Sequence, residues 1–225
     1  METLKKYIEE GLLRGQQSTI DSGEEAVYVL IEEFLKENYL GKWIISEKPN
    51  KDGLYEVTSN GRIPIRVKNK QITSLTNNLF IWTGVKGDFY CDNCNELKSL
   101  EGAPKIVEGS FCCAVCNKLK SLEGAPKEVE GVFYCNDCEK LESLEGAPKE
   151  VEGVFYCRNC SGLKSLKGAP KKVGEGFNCS GCNSLKSLEG APKEVGTYFD
   201  CHNCGKSFIK DDIRRISKVF GNIYC

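Results

Sequence analysis

Twelve cysteines arranged as six Cys-x-x-Cys pairs carry most of the chemistry this sequence could do. The leading members are Cys91, Cys113, Cys135, Cys157, Cys179 and Cys201, each 22 residues after the last. The trailing members are Cys94, Cys116, Cys138, Cys160, Cys182 and Cys204. Paired thiols at this spacing hold zinc or exchange disulfides. Cys-x2-Cys-x18-Cys-x2-Cys lies within the spacing of four-cysteine zinc sites, and strands stacked about 4.8 Å apart could bring four sulfurs to one ion. Such a site uses two repeats, so zinc should leave an alternating pattern. Every unit is instead equivalent, and the column runs on to an unpaired Cys225. The cysteines therefore read as small, weakly polar side chains stacked in columns. No cofactor is expected, and zinc on these twelve thiols is the alternative.

Catalysis finds little else to work with. His202 is the single histidine. Cys112, the one cysteine at an outward strand position, lies four units away, roughly 19 Å at one strand spacing per unit. That is far outside the reach of a nucleophile–base pair. No glycine-rich phosphate loop occurs, and the acidic residues follow the repeat. The sequence reads as non-enzymatic.

The elements that position the cysteines share their period. Phe89, Phe111, Phe133, Phe155, Phe177 and Phe199 each precede a leading cysteine by two, and Leu97, Leu119, Leu141, Leu163 and Leu185 follow a trailing one by three. A second leucine, a Gly-Ala-Pro and a valine complete the unit. A fixed period of this length predicts a solenoid. In an extended strand Phe133 and Cys135 share one face and Tyr134 takes the other, so Phe-x-Cys lines the interior. Proline turns the chain back because it cannot join a ladder. Residues 63–225 form the predicted solenoid, a parallel β-ladder of 22-residue coils whose far side is a short proline turn. "VKNKQITSL" reads as a cysteine-free first coil, with Val67 at the phenylalanine position, Asn69 at the leading-cysteine position and Ile72 at the trailing one. Residues 209–225 supply a short helix and a final strand, in which Val219, Gly221, Ile223 and Cys225 match Val129, Gly131, Phe133 and Cys135.

Residues 1–62 read as a small α+β cap over one end of the stack. Leu4, Ile8 and Leu12 give a helical stripe, and a second helix follows "DSGEEA" with Val27, Leu30, Ile31, Phe34 and Leu35 on its apolar face. "GLYEVTSNGRIPIRV" predicts a hairpin turning at Asn60-Gly61.

The frame Phe-x-Cys-x-x-Cys-x-x-Leu resembles the leucine-rich-repeat core, with the trailing cysteine where that family has Asn or Cys. The resemblance implies that this side chain turns inward to the backbone of a neighbouring coil. The wording "SLEGAPKEV" is similar to repeat arrays of large tailed phages. That likeness implies a phage protein acting in the cytoplasm of an infected bacterial host. "METLKKYIEEGLLRG" resembles the capsid-targeting peptides of phage internal head proteins, with Glu10 before the cut and Gly11 after it. That implies, as the alternative, a protein packaged inside the phage head.

With the interior assigned to architecture, binding falls to the outward column Tyr90, Cys112, Tyr134, Tyr156, Asn178 and Asp200. Arg158 and His202 stand one residue beyond the leading cysteines. Tyrosine offers large contact area and a hydrogen bond, so a protein partner is expected. Lys plus Arg total 31 and Asp plus Glu 32, with no basic domain of the kind nucleic acid requires. No apolar run reaches the roughly 18 residues of a membrane span. The N-terminus lacks the apolar core of a secretory signal, so reduced thiols are expected; the chain is also expected to be a monomer.

Overall fold

A computed structural model describes residues 23–76 and 78–225. The first predicted helix and the Glu10–Gly11 processing site lie outside the described residues. The chain runs through α1 (Gly23–Asn38), β1 (Tyr39–Leu40), β2 (Trp43–Ile45), β3 (Tyr55–Ser59), β4 (Ile65–Val67), β5 (Phe80–Val85) and β6 (Phe89–Tyr90). Each later coil adds two short strands: β7 (Ile106–Val107) and β8 (Phe111–Cys112), β9 (Glu128–Val129) and β10 (Phe133–Tyr134), β11 (Glu150–Val151) and β12 (Phe155–Tyr156). They are followed by β13 (Lys172–Val173) and β14 (Gly176–Asn178), then β15 (Glu194–Val195) and β16 (Tyr198–Asp200). Helix α2 (Lys210–Ile216), β17 (Lys218–Val219) and β18 (Asn222–Tyr224) close the chain. Among the described residues no helix is long and apolar enough to cross a membrane.

The result is a β-solenoid with two nine-stranded sheets, β1-β4-β6-β8-β10-β12-β14-β16-β18 and β17-β15-β13-β11-β9-β7-β5-β3-β2. Pairing along the stack is parallel, with Phe133 opposite Phe111 on one side and Phe155 on the other. Among the described residues only the outermost strands at the N-terminal end, β1 and β2, pair antiparallel. The six phenylalanines are fully buried, and their rings follow one another at 5.0–5.9 Å between centroids. Leu97, Leu100 and their equivalents complete the core. At the start of the stack Ile31 and Leu35 of α1 are fully buried, with Val27 and Phe34 packed beside them. The final strand follows the predicted match, with Val219 opposite Val195 and Ile223 opposite Phe199.

Three expectations are corrected. The far side of the coils is more than a short proline turn. Val107, Val129, Val151, Val173 and Val195 stack in register as a second parallel ladder. Asn60-Gly61 makes a turn with Gly61 at φ +72°, but no hairpin. Strand β3 joins β2 and β5 in one sheet, whereas β4 joins β1 and β6 in the other. The turn is thus a corner of the solenoid, and the second ladder begins inside the stretch read as cap. Finally, Ile65, not Val67, occupies the phenylalanine position, opposite Phe89. Ile72 N–H donates to Asn69 O at 3.2 Å as Leu97 N–H does to Cys94 O at 3.0 Å, so Asn69 takes the trailing-cysteine position and Ile72 the leucine position, and the Asn69 amide donates to Asn38 Oδ1 at 3.1 Å.

Candidate functional site

The Cys-x-x-Cys unit is built as a corner. The leading cysteine follows the strand, and the residue before the trailing cysteine takes a left-handed conformation in every unit. Asn93, Val115, Asp137, Asn159, Gly181 and Asn203 have φ between 54° and 69°. Asn, Asp and Gly tolerate this region, and a β-branched Val115 there is strained. The backbone N–H of this residue donates to the next coil, as from Asn93 to Ala114 O at 2.9 Å and from Asp137 to Arg158 O at 2.9 Å. The corner turns the trailing thiol back onto the preceding coil. Sγ of Cys116, Cys138, Cys160, Cys182 and Cys204 donates to the carbonyl oxygens of Cys91, Cys113, Cys135, Cys157 and Cys179 at 3.1–3.3 Å. These weak S–H···O bonds satisfy backbone acceptors that no ladder reaches. Among the described residues no group of three or more His, Cys, Asp and Glu side chains is arranged to hold a metal ion.

Burial sets the reactivity of the thiols. Of the fourteen, eleven are buried, Cys112 and Cys204 are half-buried and Cys225 is exposed. Loss of hydration pushes Cys91, Cys113, Cys135, Cys157 and Cys179 well above the ordinary thiol range. It pushes Cys138, Cys182 and Cys201 up to about 12. Cys204 is lowered instead, chiefly by its hydrogen bond with the Cys179 thiol. Thiolate is the reactive form, so native protein should label quickly at Cys225, more slowly at Cys204 and Cys112, and at the other eleven only after unfolding. The raised thiols are protonated in the fold but ionise near pH 8.5 once unfolded. Stability is therefore full below that pH and falls as pH rises above it. Thiol counting against denaturant at pH 8, with an alkaline unfolding titration, checks both. Fast labelling of more than three thiols in the native state would contradict the facing of the columns.

The outward column has the expected register, running Tyr90, Cys112, Tyr134, Tyr156, Asn178 and Asp200 on neighbouring strands. Tyr134 and Tyr156 stack at 5.3 Å with an interplanar angle of 6°. Tyr90 donates to Asp88 Oδ2 at 2.7 Å, and burial followed by that carboxylate raises its hydroxyl to about 12. Asn178, Asp200 and His202 form one network. Asn178 Nδ2 donates to Asp200 Oδ2 at 3.1 Å, and Asp200 Oδ1 lies 2.5 Å from His202 Nδ1. The carboxylate orients the imidazole, but among the described residues no nucleophile is hydrogen-bonded to the ring. Arg158 is exposed beside the column and outside this network.

Three members escaped the sequence reading. Arg66 heads the column opposite Tyr90, with its guanidinium 4.0 Å from the ring centroid and 3.1 Å from Asp92. It was hidden by the misplaced first coil. Tyr198 O–H donates to Tyr156 Oη at 3.3 Å, and its ring meets that of Tyr224 at 6.3 Å. Tyr198 shares the outward face with Asp200, two residues on, but it precedes its phenylalanine, a position the column of residues following the phenylalanines leaves out. Its opposite number is Gly176, where a β-carbon would sit 2.1 Å from the ring. The glycine was the available signal, since it clears the path across the strands. Tyr134, Tyr156, Tyr198 and Tyr224 thus make one linked aromatic strip. Compared with protein-family models, curated proteins and solved structures, the chain matches none.

Proposed function

We propose that this protein is a non-enzymatic binding module that captures a protein partner on the outward face of its first sheet. The observation that carries this reading is the tyrosine strip. Its rings are half-exposed and held by one another, while the neighbouring column positions vary over an interior that hardly varies at all. Pre-ordered aromatic side chains lose little freedom on binding and dominate many protein interfaces. Asn178, Asp200 and His202 extend the strip with polar groups, and Arg158 flanks it with a positive charge. The likeness of the repeats to tailed-phage arrays supports seeking the partner in an infected bacterial cell.

The test is affinity capture with the wild-type chain and with a variant carrying Tyr90→Ser, Tyr134→Ser and Tyr156→Ser. Half-exposed positions should leave folding nearly intact, and the variant should lose the partner that the wild type retains. A control carrying Lys127→Ser and Lys149→Ser, beside the second sheet, should keep it. A partner held equally by the tyrosine variant would move the site off this face.

A further inference from the structure

On the turn side of the last coil, α2 and the final Gly-Ala-Pro turn face one another, with no residue of the tyrosine strip between them. A groove of about 520 Å³ lies between them. Its floor is apolar, formed by Leu188, Ala191 and Phe208, with Ile216 of α2 at one side. Leu100, Leu122, Leu144 and Leu166 are fully covered by the next coil, whereas Leu188 is 8% exposed. The chain replaces the next coil there with α2, which does not close over the floor.

The rim is basic. Lys186, Lys193, Lys206 and Arg215 surround the opening. The two carboxylates there are already engaged. Glu189 lies 3.2 Å from Lys167 Nζ, and Asp212 accepts the Ile209 N–H at 3.1 Å. Among the described residues none of the four rim cations has an acidic partner. The adjoining coil is itself lysine-rich. Lys167 stands where the other units have Glu101, Glu123, Glu145 and Glu189, and Lys172 where three of them have Glu128, Glu150 and Glu194 and one has Ile106. Residues 163–184 therefore hold four lysines and one glutamate, while the preceding 141–162 hold four glutamates and two basic residues.

We infer that this groove binds an acidic peptide segment anchored by one large apolar side chain. The anchor occupies the Leu188–Ala191–Phe208 floor, and carboxylates on either side of it meet Lys186, Lys193 and Arg215. The volume suits one such side chain and its neighbours. An apolar floor gives nothing to a bare anion, and a nucleic acid would need a longer basic track than one groove supplies.

Fluorescence anisotropy with labelled heptapeptides tests this. The probes carry a central Phe, Leu or Trp flanked by Asp and Glu. Controls are the same peptides with a central Ser, the charge-reversed peptides, and a single-stranded oligonucleotide of equal charge. At least one anchored acidic peptide should bind in a salt-sensitive way. Replacing its anchor by Ser should weaken it about 10-fold, the scale of one buried apolar side chain. Lys186→Glu with Arg215→Glu, both on exposed side chains, should weaken it about 10-fold or more through lost and reversed charge. Tyr134→Ser with Tyr156→Ser should leave it unchanged, which keeps this site separate from the ladder face. The inference is overturned by no binding of any anchored peptide, by equal binding of the serine peptides or the oligonucleotide, or by indifference to the charge-reversed pair.

Discussion

Phe133→Ala should lower the stability of the solenoid by about 3–5 kcal/mol, the cost of emptying a fully buried aromatic site. Phe133 is fully buried, with the rings of Phe111 and Phe155 at 5.2 and 5.0 Å on either side. No neighbour can relax into the gap, because each ring is already held by the ring beyond it. Stability in a solenoid is a sum of unit and interface contributions, so one truncation weakens two interfaces at once. Tyr134→Ala, one residue on but facing outward and half-exposed, should cost about 1 kcal/mol or less, as surface changes do. Urea unfolding of the two variants measures the contrast. A loss below about 1 kcal/mol for Phe133→Ala would place that ring outside the core and reverse the facing of every strand in the first sheet.

That facing was legible because the repeat states it six times. Phe-x-Cys fixes the inward pair, and one in-register column carries Tyr90, Tyr134 and Tyr156 to the same face. The second ladder was not legible for a physical reason. Each repeat gives it one inward residue, as Val129 in Glu128–Val129, whereas Phe-x-Cys gives the first ladder two inward residues at strand spacing. The first coil was misread because 24 residues, not 22, separate Ile65 from Phe89, and without cysteines nothing marks the offset. Asn60-Gly61 carries strong local turn chemistry, but the sheets decide which strands the turn joins. The groove beside α2 was invisible because it depends on what replaces a coil, which the repeat pattern does not encode. The charge reversals at Lys167 and Lys172 were readable as departures from the repeat, yet they gain meaning only once Arg215 is folded back over the neighbouring groove.

Gly146→Ala should be as damaging as losing a core ring, although it only adds one methyl group. Gly146 has φ +94°, a region where a β-carbon costs about 1–2 kcal/mol. The added carbon would also stand 2.3 Å from Leu122 O and 2.4 Å from Glu123 N. Both belong to the backbone of the preceding coil, which cannot swing aside as a flexible side chain can. Beside this contact the Leu122 N–H donates to Glu145 O at 2.8 Å, so making room means lengthening that bond. Overpacking of this kind adds about 1–3 kcal/mol, for a total of about 2–5 kcal/mol with the conformational cost. Gly53→Ala separates the two contributions. Gly53 has φ +76° with nothing within 4 Å of the added carbon, so it should show the conformational cost alone. Equal losses for the two variants in urea unfolding would mean that the coils do not touch through this glycine. A larger loss at Gly146 would show that the Gly-Ala-Pro turn sets the distance between coils. That spacing also fixes where one outward side chain stands above the next, so the face proposed to bind depends on a glycine on the far side of the stack.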